Sequence, residues 1–83
     1  MAVLDPTTAE IALRVDARGL SCPMPIVKTA KAMKALASGQ LLEVLATDPG
    51  SVKDFAAWSK ATGNALVDGG IESGVFRFLL RHK

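Results

Sequence analysis

The chain has 83 residues, a single cysteine (Cys22) and a formal charge of +2 from ten basic and eight acidic side chains. That length fills one domain with a small core, and a lone thiol excludes a disulfide-stapled scaffold, a cysteine-rich zinc module and an internal dithiol couple. A composition that is 49% apolar and 22% charged argues against disorder, while the weak net charge, one Trp, three Phe and no Tyr offer little for nucleic acid to bind.

Residues 1–10 carry Pro6, Thr7 and Thr8 and read as an irregular lead-in to one domain over residues 11–83. The lead-in has no basic stretch followed by an apolar one, so no signal peptide is expected. No apolar run approaches the ~20 residues of a membrane span. A free thiol without an export signal makes the cytoplasm the expected location.

Ile11–Ala17 then alternates, with Ile11, Leu13, Val15 and Ala17 on one side, which predicts a half-buried strand. Arg18-Gly19-Leu20-Ser21 breaks it. From Pro23 to Ser38-Gly39 the apolar residues Ile26, Ala30, Met33 and Ala37 recur at helical spacing, while Lys28, Lys31 and Lys34 fan over the other side. Proline near the start and glycine just past the end fit a helix of about four turns. Leu41–Thr47 is short and apolar and reads as a well-buried strand. Asp48 is the expected cap of a second helix and Pro49 its first residue. Val52, Phe55, Ala56 and Ser59 face one way along it, and Thr62-Gly63 ends it. Ala65–Glu72 and Val75–Arg81 are two more strands, joined by a short hairpin turn at Ser73-Gly74.

The order is β-α-β-α-β-β. Right-handed crossovers then put both helices on one face of a four-stranded mixed sheet, an α+β two-layer sandwich. On the helix-free face Glu43, Arg14, Arg77 and Arg81 are expected to stay partly wet, with Leu45 and Leu79 sharing it.

Cys22 precedes Pro23, Met24 and Pro25. A residue before proline is pushed to extended geometry, as a helix N-cap requires, so Cys22 is expected at the N-cap of the first helix. The helix dipole and the free amides of the first turn would there favour a thiolate and lower the thiol pKa. Arg18 is expected to add positive charge. Pro23 and Pro25 remove two first-turn donors, leaving chiefly the amides of Met24 and Cys22 to meet the sulfur, and they stiffen the turn. A lone cysteine in a small domain is most often a buried small hydrophobe. Here it falls at a loop–helix junction, outside both apolar stripes, which favours a reactive thiol. Met24 and Lys28 are candidates for partner docking. Trp58 is expected at the edge of the core and His82 on the surface.

Asp16, Gly19, Leu20, Cys22, Pro23 and Pro25 match the D-x-x-G-L-x-C-P-x-P signature of the TusA/SirA-type sulfur carriers. The resemblance continues through Gly39, Thr47-Asp48-Pro49, Thr62-Gly63 and Val75–Arg81, covering roughly residues 11–82. It implies the sandwich inferred above and a task. Cys22 would accept sulfane sulfur from a cysteine desulfurase or rhodanese, hold it as a persulfide, and pass it to an acceptor sulfurtransferase. Destinations in the family include 2-thiouridine in tRNA, molybdenum-cofactor biosynthesis and sulfur oxidation. Pro23 and Pro25 would shape the turn, with Gly19 and Arg18 in support. The resemblance implies no metal or organic cofactor beyond the covalent sulfur, no membrane, and no strong direct nucleic-acid binding. It fits a monomer in transient complexes.

Three other readings compete, one of them an inert interaction domain, for which a thiol of ordinary reactivity would be expected. A nucleic-acid-binding or regulatory interaction module without sulfur transfer would use the basic residues, but charge and stacking aromatics are both scarce. A glutaredoxin-like monothiol redox protein needs more chain and a later proline at a strand start, whereas Pro49 is expected to open a helix.

Overall fold

A computed structural model describes residues 11–83. Its elements run β1 (Ile11–Ala17), α1 (Met24–Met33), β2 (Leu41–Ala46), α2 (Ser51–Thr62), β3 (Ala65–Glu72) and β4 (Val75–Arg81). The sheet order is β1-β2-β4-β3. β1 and β2 are parallel, and β4 runs antiparallel to β2 and to β3. The four-stranded mixed sheet and two helices of the sequence reading are present.

Alternation decides which strand residues meet the helices. Val15, Ala17, Leu42, Val44, Ala46, Phe78 and Leu80 form one buried cluster with Met33 of α1 and Phe55 of α2, so both helices cover the same face. Phe55 stacks on Phe78 at 4.5 Å between ring centroids and meets Trp58 edge-on at 6.4 Å. Trp58 is half-buried at the core edge, as expected. The β3–β4 turn falls at Ser73 and Gly74, both with positive φ (51° and 78°), which gives it the twist a two-residue hairpin needs.

Both helices begin later than the prolines predict. α1 starts at Met24, with Pro23 in the capping position. α2 starts at Ser51 and is capped by Gly50, not Asp48. Asp48 builds the turn in front of it: its Oδ2 accepts from the Gly50 N–H at 3.1 Å, and its carbonyl accepts from the Ser51 N–H and Oγ at 3.0 and 2.7 Å. Pro49 lies in that turn. α1 also ends early. The Ala35 and Leu36 N–H groups reach back only three residues, to Ala32 and Met33, at 3.0 and 3.1 Å, and the chain turns away. Gly39 then donates to the His82 carbonyl at 2.8 Å, tying this segment to the end of β4. The most buried line of α1 is Pro25, Thr29 and Met33, with Ile26 and Ala30 half-buried beside it. On α2 only Ser51 and Phe55 are fully buried, while Val52 is exposed.

Two strands carry an extra residue. Ile11 pairs with Leu41 and Leu13 with Leu42, so Ala12 bulges and Ile11 leaves the face shared by Leu13, Val15 and Ala17. Between Leu66 and Asp68 the same shift occurs in β3.

The helix-free face is drier than expected. Leu79 is fully buried there, and Glu43 is 8% exposed. The Glu43 carboxylate is clamped between two arginines on the flanking strands: Arg14 Nε donates to Oε1 at 2.9 Å and Arg77 Nε donates to Oε2. A buried carboxylate on a central strand is tolerable because each oxygen has its own guanidinium. Glu43→Ala leaves both cations without their anion. Because Arg14 is largely in water and Arg77 is half-buried, the expected loss in a urea titration is about 2 kcal/mol.

Candidate functional site

β1 and β2 run parallel and side by side, and their register closes at Ala17 opposite Ala46. The connections to α1 and α2 therefore leave the same end of the sheet. Outside the carboxyl ends of adjacent parallel strands is where α/β folds place ligands. Gly19, at φ +79°, turns the first connection in a conformation that other residues rarely adopt. Its N–H donates to Thr47 Oγ1 at 2.9 Å and so fastens one connection to the other.

Cys22 is exposed on this rim. Ser21 to Met24 form a turn in which the Met24 N–H donates to the Ser21 carbonyl at 2.8 Å and the Cys22–Pro23 peptide is cis. Pro25 is wholly buried beneath it, and Met24 is 46% exposed beside the thiol.

The activating environment expected of Cys22 is not what surrounds it. Cys22 lies one residue outside the capping position, which Pro23 occupies. The Met24 amide, expected to face the sulfur, is used by Ser21. Arg18, expected to lend its charge, is folded back on Asp16: Nε and Nη2 donate to the two carboxylate oxygens at 2.8 and 2.9 Å, and the backbone N–H adds a third bond at 3.1 Å. This embrace holds the Asp16 carboxyl well below the usual carboxylate range. Lys28 reaches the same residue, donating to the Asp16 carbonyl at 2.9 Å.

What Cys22 does meet is acid. Asp54, in the first turn of α2, is the largest acidic influence on the thiol. With loss of water on the protein side and the further negative charge of Asp48, it pushes the thiol pKa up rather than down. Reading the sequence missed Asp54. The signal available was topological: if the first two strands are parallel neighbours, the helices that follow them start side by side.

Among the described residues no three His, Cys, Asp or Glu side chains gather as a metal-ligand set, and no helix is long and apolar enough to cross a membrane. The site is a rigid, proline-flanked turn presenting one exposed sulfur to whatever approaches from solvent.

A two-layer α+β sandwich with a lone exposed thiol at the head of its first helix describes a small sulfur carrier. The sequence matches the family described as sulfurtransferase TusA over residues 13–82, and the chain belongs to that family. It is 51% identical over 73 residues to the sulfur carrier protein TusA of Allochromatium vinosum, covering 88% of this chain and 96% of that one. It is likewise 51% identical over 67 residues to a putative sulfur carrier protein of Bacillus subtilis, covering 81% and 89%. A SirA-like protein from Desulfitobacterium hafniense shares the fold, with a TM-score of 0.74 at 22% identity over 83% of this chain and 95% of that one. Sulfur carriage implies working partners on both sides, donors of sulfur and acceptors of it.

Since Arg18 is committed to Asp16, removing it leaves the thiol's surroundings as they were. Arg18→Ala is expected to keep the pH profile of Cys22 alkylation by iodoacetamide unchanged. A profile shifted to higher pH would show that the guanidinium does support the thiolate.

Proposed function

We propose that Cys22 is the sulfur-bearing residue and that the protein relays sulfane sulfur as a Cys22 persulfide. The observation that carries this reading is the placement of the chain's one thiol: exposed, on a turn stiffened by Pro23 and Pro25, and approachable by a partner's active site. The Cys22 sulfur attacks the terminal sulfur of a donor persulfide, the donor's S–S bond breaks, and the donor cysteine leaves as a thiolate. An acceptor thiolate then takes the sulfur by the same exchange. A second thiol at the site would discharge the sulfur as sulfide, so one cysteine suits a carrier.

The donor is of the cysteine desulfurase or rhodanese type, and the acceptors are sulfurtransferases serving 2-thiouridine formation in tRNA, molybdenum-cofactor synthesis or sulfur oxidation. The covalent sulfur is the only group the reaction needs. Exposed Met24 beside the thiol supports direct docking of these partners as transient complexes on a monomer. Lys28 borders the same rim with its ammonium on the Asp16 carbonyl. The cytoplasm, where thiols stay reduced, suits an unprotected cysteine.

Intact-mass measurement after incubation with a cysteine desulfurase and cysteine tests the reading. The expected result is the gain of one sulfur atom, removed by reductant and lost in Cys22→Ser. An unchanged mass in the presence of an active donor overturns it.

A further inference from the structure

Cys22 lies in the connection between β1 and α1, whose apolar anchors are Leu20, packed against the core, and Pro25, wholly buried at the start of the helix. Most of the connection's hydrogen bonds are local. Arg18 closes on Asp16, the Leu20 N–H reaches the Ala17 carbonyl at 3.3 Å, and the Met24 N–H reaches the Ser21 carbonyl at 2.8 Å. Among the described residues, one hydrogen bond ties residues 19–23 to a distant part of the chain: the Gly19 N–H donates to Thr47 Oγ1 at 2.9 Å. Thr47 follows β2 and opens the connection to α2. Because Ala17 lies opposite Ala46, Gly19 and Thr47 leave the sheet side by side, and the hydroxyl braces one connection against the other. The bond is exposed, so it adds little to the stability of the fold. Its effect is local: it fixes the chain three residues before the sulfur.

Resting on Cys22 being the sulfur-bearing residue, we propose that Thr47 is a positioning residue for sulfur transfer. Through Gly19, its hydroxyl holds the turn that aims the Cys22 sulfur at a docked donor. Exchange needs the attacking sulfur within reach of the donor's terminal sulfur and aligned with the bond that breaks. A docked donor cannot reorient to follow a loosened turn, so losing the brace costs rate after docking rather than affinity. A small reagent arriving from solvent has no fixed approach and is indifferent to it. Thr47 itself takes no part in bond making or breaking.

Thr47→Val removes the acceptor at nearly constant shape, and Thr47→Ser keeps it. Gly19→Ala strains the same bond from its other end, because a Cβ there meets open space and only the left-handed backbone resists it. Single-turnover loading from a persulfidated cysteine desulfurase is followed by intact mass over a range of donor concentrations. The saturating rate is expected to fall on the order of tenfold in Thr47→Val and in Gly19→Ala. The half-saturating donor concentration is expected to stay within about twofold, and Thr47→Ser to restore most of the rate. Iodoacetamide alkylation at pH 7 is expected to stay within about twofold in all three variants. Amide exchange reports the bond directly: the Gly19 N–H is protected in the unsubstituted chain and exchanges faster in Thr47→Val. An unprotected Gly19 amide, an unchanged saturating rate, or a rise in the half-saturating concentration alone would each overturn the role. So would a Thr47→Ser chain as slow as Thr47→Val, or alkylation that falls in step with loading. A Thr47→Val chain that fails to fold would show that the bond holds the fold rather than the turn, and would overturn it too. If the unsubstituted chain never loads, the assignment of Cys22 fails and this role with it, whereas loading that is insensitive to Thr47→Val sinks the role of Thr47 alone.

Discussion

The parallel pairing of β1 with β2 is the constraint on which the site depends. It fixes Ala17 beside Ala46 at the carboxyl end of the sheet, so two connections of unrelated sequence must share one rim. The Gly19–Thr47 hydrogen bond holds them in contact, at a glycine whose φ of +79° suits few other residues. From that rim both helices depart over the same sheet face, where Phe55 and Met33 close the core against Val44 and Phe78. The exposed sulfur and the carboxylate beside it are consequences of that one register.

The electrostatics of the rim run against a simple picture of a thiol activated by a helix end. A helix N-terminus attracts negative charge through its free N–H groups. Here Pro23 and Pro25 have none, and Met24 spends its own on Ser21. Arg18 and Lys28 are both engaged by Asp16. Asp54 and Asp48 are then the charges left to face the sulfur, and they favour the protonated form. Pro23 and Pro25 restrict the turn that presents the sulfur.

Much of the fold was legible in the sequence, and the parts that were not have identifiable causes. β1, β3 and β4 have the predicted bounds because alternation and the Ser73-Gly74 turn are local signals. The helix starts were displaced because proline is equally at home in the first helical turn and in the tight turn before it. At both Cys22-Pro23 and Asp48-Pro49 the backbone chose the turn. The Ala12 and Val67 bulges leave no mark in a pattern of apolar residues, so the departure of Ile11 from its expected face was invisible. Glu43 read as a wetted position, because its burial depends on arginines from two other strands. Of the site, Cys22, Gly19 and the two prolines lie within one short segment and were readable. Asp54 needed the strand pairing. Arg18 was misjudged because its counter-ion, two residues away, outcompetes the thiol for it.

The claim that this acidic rim keeps the Cys22 thiol protonated can be tested most directly by following the Cys22 Cβ chemical shift against pH in the reduced protein. The account predicts a titration midpoint above the ~8.5 of a free thiol. A midpoint well below that value would mean that the helix end governs the sulfur after all, and would contradict the acidic setting described for it.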